Sequence, residues 1–113
     1  MKKILYILLA SLLLVTGCQK QQSELDKIVN ENNYVIVDVR TKDEYDTGHV
    51  KDSLNIPVDS IDQNVELDKN KTIIVYCRSG RRSATAKQKL EDLGYKVYDL
   101  GAYESITKFE KGA

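Results

Sequence analysis

Two cysteines, one histidine, one proline and no tryptophan occur among 113 residues, and the formal net charge is zero. Two cysteines cannot build the disulfide framework of a small secreted module. With a single histidine beside them, nothing in the chain has the spacing of a metal-ligand set, and no paired carboxylates of the acid/base kind are evident, so neither a metal nor another cofactor is expected. The balanced charge argues against a polyanion-binding surface and hence against a nucleic-acid partner. There is no internal repeat and no low-complexity tract. Only one long apolar run exists, Ile4 to Val15; as a helix it would reach about 18 Å, short of a hydrocarbon core of about 30 Å. The 96 residues from Cys18 onward fit one compact domain and leave no room for a second.

The amino-terminal run has flanks that give it a different meaning. Lys2 and Lys3 precede it as a basic region, and Val15-Thr16-Gly17-Cys18 follows it, an order that reads as a signal peptide. The tetrapeptide resembles a bacterial lipoprotein processing box. That resemblance implies cleavage before Cys18, diacylglycerol on its sulfur and a third acyl chain on its amine, and two or more chains anchor a protein stably. The expected organisation is therefore a signal peptide over residues 1–17, lipidated Cys18 with a polar tether over 18–22, and a folded domain over 23–113. The protein would be a monomer held by lipid on the extracytoplasmic face of a bacterial membrane, with fifteen basic and seventeen acidic side chains left after processing. Cys77 would then be the only free thiol of the mature chain, and any covalent intermediate on it must be discharged by a second molecule.

Along that domain, Ser23 is placed to cap a helix whose Leu25, Ile28 and Val29 form an apolar stripe. Tyr34 to Asp38 reads as a strand, its β-branched centre suited to burial on both faces. Thr41 to Asp46 fits a short helix capped by Thr41 and stopped by Gly48. Leu54-Asn55-Ile56-Pro57 is extended, since the residue before proline avoids the helical region, and Asp59 to Asn64 suits one or two helical turns. Lys71 to Tyr76 is the second strong strand. Ser83 to Leu93 is a helix with Ala86, Leu90 and Leu93 on one face and Gly94 ending it. Tyr95 to Leu100 is a third strand, and Tyr103 to Lys111 a closing helix with Ile106 and Phe109 turned inward. Strands alternating with helices predict the α/β class: a central, mostly parallel sheet of about five short strands with helices on both faces.

The richest stretch runs from Ile73 through Ser83. An apolar strand leads into Cys77 and then into Arg78-Ser79-Gly80-Arg81-Arg82, where reactive groups of open α/β sheets sit, just past a strand's carboxyl end. A cysteine after an apolar strand is ordinarily packing, but an inert core thiol has no use for three adjacent arginines. Five residues between strand end and helix start let successive backbone N–H groups converge on one point, a nest for an anion, with Gly80 accepting positive φ.

This loop resembles the active-site loop of the rhodanese family, sulfurtransferases that carry sulfur as a cysteine persulfide. Asp38-Val39-Arg40, Glu44-Tyr45, Gly48-His49-Val50 and Asn55-Ile56-Pro57 resemble that family's amino-terminal signature. Gly101-Ala102-Tyr103 matches the place of its carboxyl-terminal Gly-Gly-aromatic signature, with alanine for the second glycine. The resemblance implies a rhodanese-like single domain with Cys77 as the catalytic nucleophile. Arg78, Ser79, Gly80, Arg81 and Arg82 would bind the donor, a small sulfur-containing anion such as thiosulfate, and the acceptor would be a thiol or cyanide. Asp38 and Arg40 are expected to pair structurally, Glu44 to brace a loop or helix surface, and His49 to belong to the structural signature.

Other readings remain open at this point. A cysteine phosphatase or arsenate reductase also wraps a thiolate in a nest, but its pattern would place arginine at position 83, where Ser83 stands, and Arg82 comes after only four intervening residues. A persulfide carrier acting on another protein's thiol differs from the enzyme mainly in its substrate, and a non-catalytic binding domain would keep the fold without the chemistry.

Overall fold

In the computed structural model, residues 23–112 are described. The expected signal peptide, Cys18 and the tether over 18–22 lie outside them. The chain divides into two compact units, Met1–Asn32 and Asn33–Ala113. In the first, residues 23–31 form helix α1, with Leu25, Ile28 and Val29 half-buried. Ser23 is already helical rather than standing before the helix. Asn32, at φ 52°, ends it by donating its N–H to the Val29 carbonyl at 3.1 Å.

The second unit contains β1 (Tyr34–Asp38), α2 (Lys42–Thr47), β2 (His49–Val50), β3 (Leu54–Asn55), a 3-10 turn (Val58–Ser60), β4 (Thr72–Cys77), α3 (Arg81–Asp92), β5 (Lys96–Ala102), a second 3-10 turn (Tyr103–Ser105) and β6 (Lys111–Gly112). Four strands, rather than about five, make the main sheet in the order β3-β1-β4-β5, and every pairing within it is parallel. The two strongest β-branched segments, β1 and β4, lie side by side at its centre, where burial on both faces rewards them.

Alternation along these strands sorts the core. Val37, Val39, Ile73, Val75 and Cys77 share one face and pack with Ala86 and Leu90 of α3 and with Ile61 and Tyr95. On the other face Tyr76 is wholly buried, its ring stacked on Tyr103 at 5.7 Å between centroids and its hydroxyl accepting the Val50 N–H at 2.9 Å. Parallel strands open their carboxyl ends on the same side, so Asp38, Asn55, Cys77 and Ala102 come to one rim of the sheet. A bulge opposite Val75 and Tyr76 takes Leu100 out of register and sets Gly101 beside Tyr76 and Ala102 beside Cys77.

Most local chemistry behaves as the sequence predicts. Thr41 caps α2 in a capping box with Glu44, and Gly48 ends it. After α3, Gly94 turns back at φ 97° and Tyr95 donates to the Leu90 carbonyl at 3.0 Å. Two segments differ. The helical turns expected over Asp59 to Asn64 shrink to the 3-10 turn at Val58–Ser60. The closing helix expected over Tyr103 to Lys111 is absent: only Tyr103–Ser105 makes a turn, and Lys111–Gly112 pairs antiparallel with His49–Val50. The inward residues were nonetheless identified, since Ile106 is buried and Phe109 lies 5.9 Å from the Tyr34 ring. Over so short a stretch a three-residue apolar spacing does not separate helix from irregular chain, and pairing with β2 supplies the backbone partners that a helix would have supplied.

Candidate active site

Cys77 ends β4 rather than following it, and its side chain is 0 % exposed. Only Arg78, Ser79 and Gly80 separate it from α3, because the helix begins at Arg81, two residues before the expected start at Ser83. Gly80 makes this shortening possible. It caps α3 in the left-handed region at φ 96°, where a side chain would be strained, and its carbonyl accepts the Ala84 N–H at 3.2 Å. No side chain caps this helix end. Its first N–H groups are therefore available to another acceptor.

That acceptor is sulfur. The Gly80 N–H donates to Cys77 Sγ at 2.9 Å, and Sγ lies 3.5 Å from the Ser83 hydroxyl, which in turn donates to the Gly80 carbonyl at 3.1 Å. Burial by itself pushes the Cys77 thiol up. Hydrogen bonds from the Ser83 hydroxyl and from the backbone at Ser83, Gly80 and Ser79 outweigh it, so the thiol ends below its ordinary value. The backbone N–H groups expected to converge on an anion in this loop thus include that of Gly80, which meets the sulfur, and Ser83, expected to open the helix, adds its hydroxyl.

The three arginines divide. Arg82, at the second position of α3, makes a two-point ion pair with Glu44 of α2, at 2.6 and 3.0 Å. Hydrogen bonding to Arg82 is the main cause that holds the Glu44 carboxyl at about 2 against the opposing effect of burial, with Thr41 adding to it. Arg82, placed by the sequence among the donor-binding residues, is thus committed to Glu44, and Glu44 braces α2 to α3 as well as closing the capping box. No spacing rule joins positions 44 and 82. Arg78 and Arg81 are exposed, and among the described residues neither guanidinium has an ion pair. The first turn of α3 carries no acid, so two arginines sit at the positive end of the helix, against its dipole. A local choice that costs stability, placed beside a buried sulfur, is what a site for an incoming anion requires.

Next to this loop stands a rigid frame. Asp38 and Arg40 pair at 2.6 Å with side chains 0 % and 6 % exposed. Arg40 also donates to the Gly48 carbonyl at 2.6 Å and lies over the Tyr103 ring at 4.4 Å. Burial would lower the Arg40 guanidinium, yet its hydrogen bond and charge attraction to Asp38 leave it raised. Asn55 donates to the carbonyls of Asp38 and Arg40 at 3.1 and 3.0 Å. Burial is also the main reason that the Tyr76 hydroxyl is pushed up to about 12. His49 stacks on Tyr45 at 3.7 Å between centroids, and its Nδ1 meets the Tyr45 carbonyl at 2.8 Å. The expected structural roles of Asp38, Arg40, Glu44 and His49 all appear in these contacts. Among the described residues no cluster of three or more metal-ligating side chains occurs, and no described helix is long and apolar enough to cross a membrane.

Comparison with known proteins agrees with this geometry. Residues 21–108 match the rhodanese-like domain family. The thiosulfate sulfurtransferase PspE of Escherichia coli is 39 % identical over 74 residues, covering 62 % of this chain and 71 % of that protein. The thiosulfate sulfurtransferase GlpE of Coxiella burnetii is 35 % identical over 91 residues, covering 76 % and 85 %. A putative mitochondrial thiosulfate sulfurtransferase of Schizosaccharomyces pombe is 36 % identical over 87 residues, and the chain spans only 60 % of its length. Among solved structures, an Escherichia coli rhodanese with anions superposes with a TM-score of 0.63 at 33 % identity, over 70 % of this chain and 96 % of that one. A rhodanese-related protein of Thermoplasma volcanium gives 0.60 at 31 % identity, over 67 % and 77 %. The chain belongs to the rhodanese-like domain family. It is an enzyme of the sulfurtransferase type.

Proposed function

We propose that the protein moves sulfane sulfur from thiosulfate or a similar small anion to cyanide or a thiol, through a persulfide on Cys77. The observation that carries this reading is the position of Sγ, held by the Gly80 N–H at 2.9 Å at the uncapped amino end of α3. The thiolate attacks the outer sulfur of thiosulfate; the sulfur–sulfur bond of the donor breaks, and sulfite leaves with its electron pair. The new persulfide carries the negative charge on its terminal sulfur, where the acceptor attacks, and the thiolate of Cys77 leaves. Arg78 and Arg81, uncommitted at the rim, draw the donor's oxyanion by charge-assisted bonds. Arg82 contributes charge from its pair with Glu44.

The same proposal places the enzyme outside the cytoplasm as a lipid-anchored monomer, supported by the basic residues, apolar run and Val15-Thr16-Gly17-Cys18 order. With Cys18 acylated, Cys77 is alone and depends on a second molecule for discharge. Intact-mass spectrometry of the protein isolated from membranes tests both parts. The expected chain begins at Cys18 and carries acyl groups; after thiosulfate it gains one sulfur atom, which cyanide removes. An unprocessed or unacylated chain overturns the anchor, and a mass unchanged by thiosulfate overturns the donor.

A further inference from the structure

Ser83 is the third residue of α3 and is 0 % exposed. Its hydroxyl faces two acceptors, Cys77 Sγ at 3.5 Å and the Gly80 carbonyl at 3.1 Å. A hydroxyl has one proton, so it can donate to only one of them at a time. While Cys77 is a thiol, Sγ–H donates to Ser83 Oγ and the hydroxyl proton goes to Gly80. A thiolate is an acceptor only, and the hydroxyl turns to it. The Gly80 carbonyl then keeps the Ala84 N–H, at 3.2 Å, so no buried acceptor is orphaned by the turn.

The persulfide presents a different charge distribution. Its negative charge lies on the outer sulfur, and that atom arrives from outside. Ser83 is buried, and its hydroxyl is set against the inner sulfur. Its bond is therefore strongest when Cys77 carries no sulfane sulfur, and weakest when it does. We infer that Ser83 is a catalytic residue for sulfur delivery, stabilising the discharged thiolate and so making it the better leaving group when the acceptor attacks. This rests on the reading of Cys77 as a sulfur carrier. In the discharging step the bond between Sγ and the outer sulfur breaks, its electron pair remains on Sγ, and the Ser83 O–H donates to that pair. The acceptor leaves with the sulfur. The charged groups around this centre are Arg82, paired with Glu44, the exposed Arg78 and Arg81 of the loop end, and the Asp38–Arg40 pair beneath the opposite face of the sheet. Among the described residues, the Ser83 hydroxyl is the group that reaches Sγ with a proton it can turn either to sulfur or to the Gly80 carbonyl.

Ser83→Ala removes one oxygen at a helical position that alanine suits, and Ser83→Thr keeps the hydroxyl. In the full-length protein, iodoacetamide alkylation of Cys77 against pH and rapid-mixing measurements of loading by thiosulfate and discharge by cyanide would be compared. For Ser83→Ala the alkylation midpoint should rise by about one pH unit, the size expected for one hydrogen bond to an ion. At a pH above both midpoints, discharge should slow about tenfold while loading is unchanged or faster. Ser83→Thr should restore both. Equal slowing of loading and discharge, or an unmoved midpoint, would assign Ser83 to packing alone and overturn the inference. Failure of the wild-type protein to take sulfur from thiosulfate would instead remove the sulfur-transfer reading, and the alkylation arm would still report whether Ser83 holds the thiolate.

Discussion

Two arginine sites at the same rim of the sheet make opposite use of the same side chain. Arg40, just beyond β1, spends its donors on Asp38 and the Gly48 carbonyl and lies over Tyr103, with its side chain 6 % exposed. Arg78 and Arg81, one strand away, are exposed and have no ion pair among the described residues. Arg82 stands between the two cases, tied to Glu44 but only partly covered. The buried arginine joins the amino-terminal signature to the aromatic of the carboxyl-terminal one and holds the rim in shape. The exposed arginines keep their hydrogen-bonding capacity, which the proposed function assigns to an arriving anion. A charge enclosed by the fold depends on its partner, whose loss would be costly, and a charge left exposed at a helix's positive end has no such tie.

Variants at the two sites should therefore separate activity from stability. Cys77→Ser should abolish thiocyanate production, a loss of at least about a thousandfold, since a hydroxyl cannot carry sulfane sulfur. Its melting temperature should stay near that of the wild type. Residual turnover within tenfold of wild type would remove Cys77 from the mechanism. Asp38→Ala should do the reverse. It leaves the Arg40 guanidinium buried without its partner, at a cost of roughly 3–5 kcal/mol, which calorimetry should read as a fall of more than about 10 °C for a domain of this size. An unchanged melting point would mean that Arg40 finds water or another acceptor.

A smaller effect belongs to the uncommitted arginines. Replacing Arg78 and Arg81 together by alanine should raise KM for thiosulfate about tenfold and leave stability within about 0.5 kcal/mol. If kcat fell while KM held, the two would act on the reaction rather than on capture of the donor.

The smallest effect concerns Glu44. Its carboxyl is held at about 2 in the folded protein, below its ordinary value of 4.5, chiefly by Arg82. A depressed carboxylate contributes stability that is fully present above the unfolded value and is lost as pH falls through the folded one. Glu44→Gln should thus be less stable than wild type by roughly 1–2 kcal/mol at pH 6, allowing for partial solvent screening. The gap should narrow steadily below about pH 4.5. Urea titrations at several pH values would show it, and a gap constant with pH would mean that charge is not what joins α2 to α3.

How much of this could be read in advance varied with the range of the interaction. The capping box of Thr41 and Glu44 was legible because its partners are three residues apart and its geometry is local. Cys77 was legible because a β-branched run, a thiol, a glycine and three cations follow one another directly. Ser83 appeared in the same loop, but its role depends on how soon α3 begins, and Gly80 brings that start two residues forward. The commitment of Arg82 to Glu44 spans 38 positions, and nothing in the spacing foretells it. The end of the chain misled for a related reason: Ile106 and Phe109 bury as a helix would bury them, while the backbone around Lys111 finds its partners on β2.

The sequence by itself determined the α/β class, the central pair of strands, the short capped helix and the place of Cys77 at a strand end before an arginine-rich loop, because each follows from periodicity or from residues in immediate succession. Tertiary structure decided which arginine is tied to a carboxylate and which stay exposed, which groups reach the Cys77 sulfur, and how the chain closes. Those outcomes depend on which distant groups meet at the carboxyl rim of the sheet, and that is settled by packing of β1, β4 and α3 rather than by any local preference.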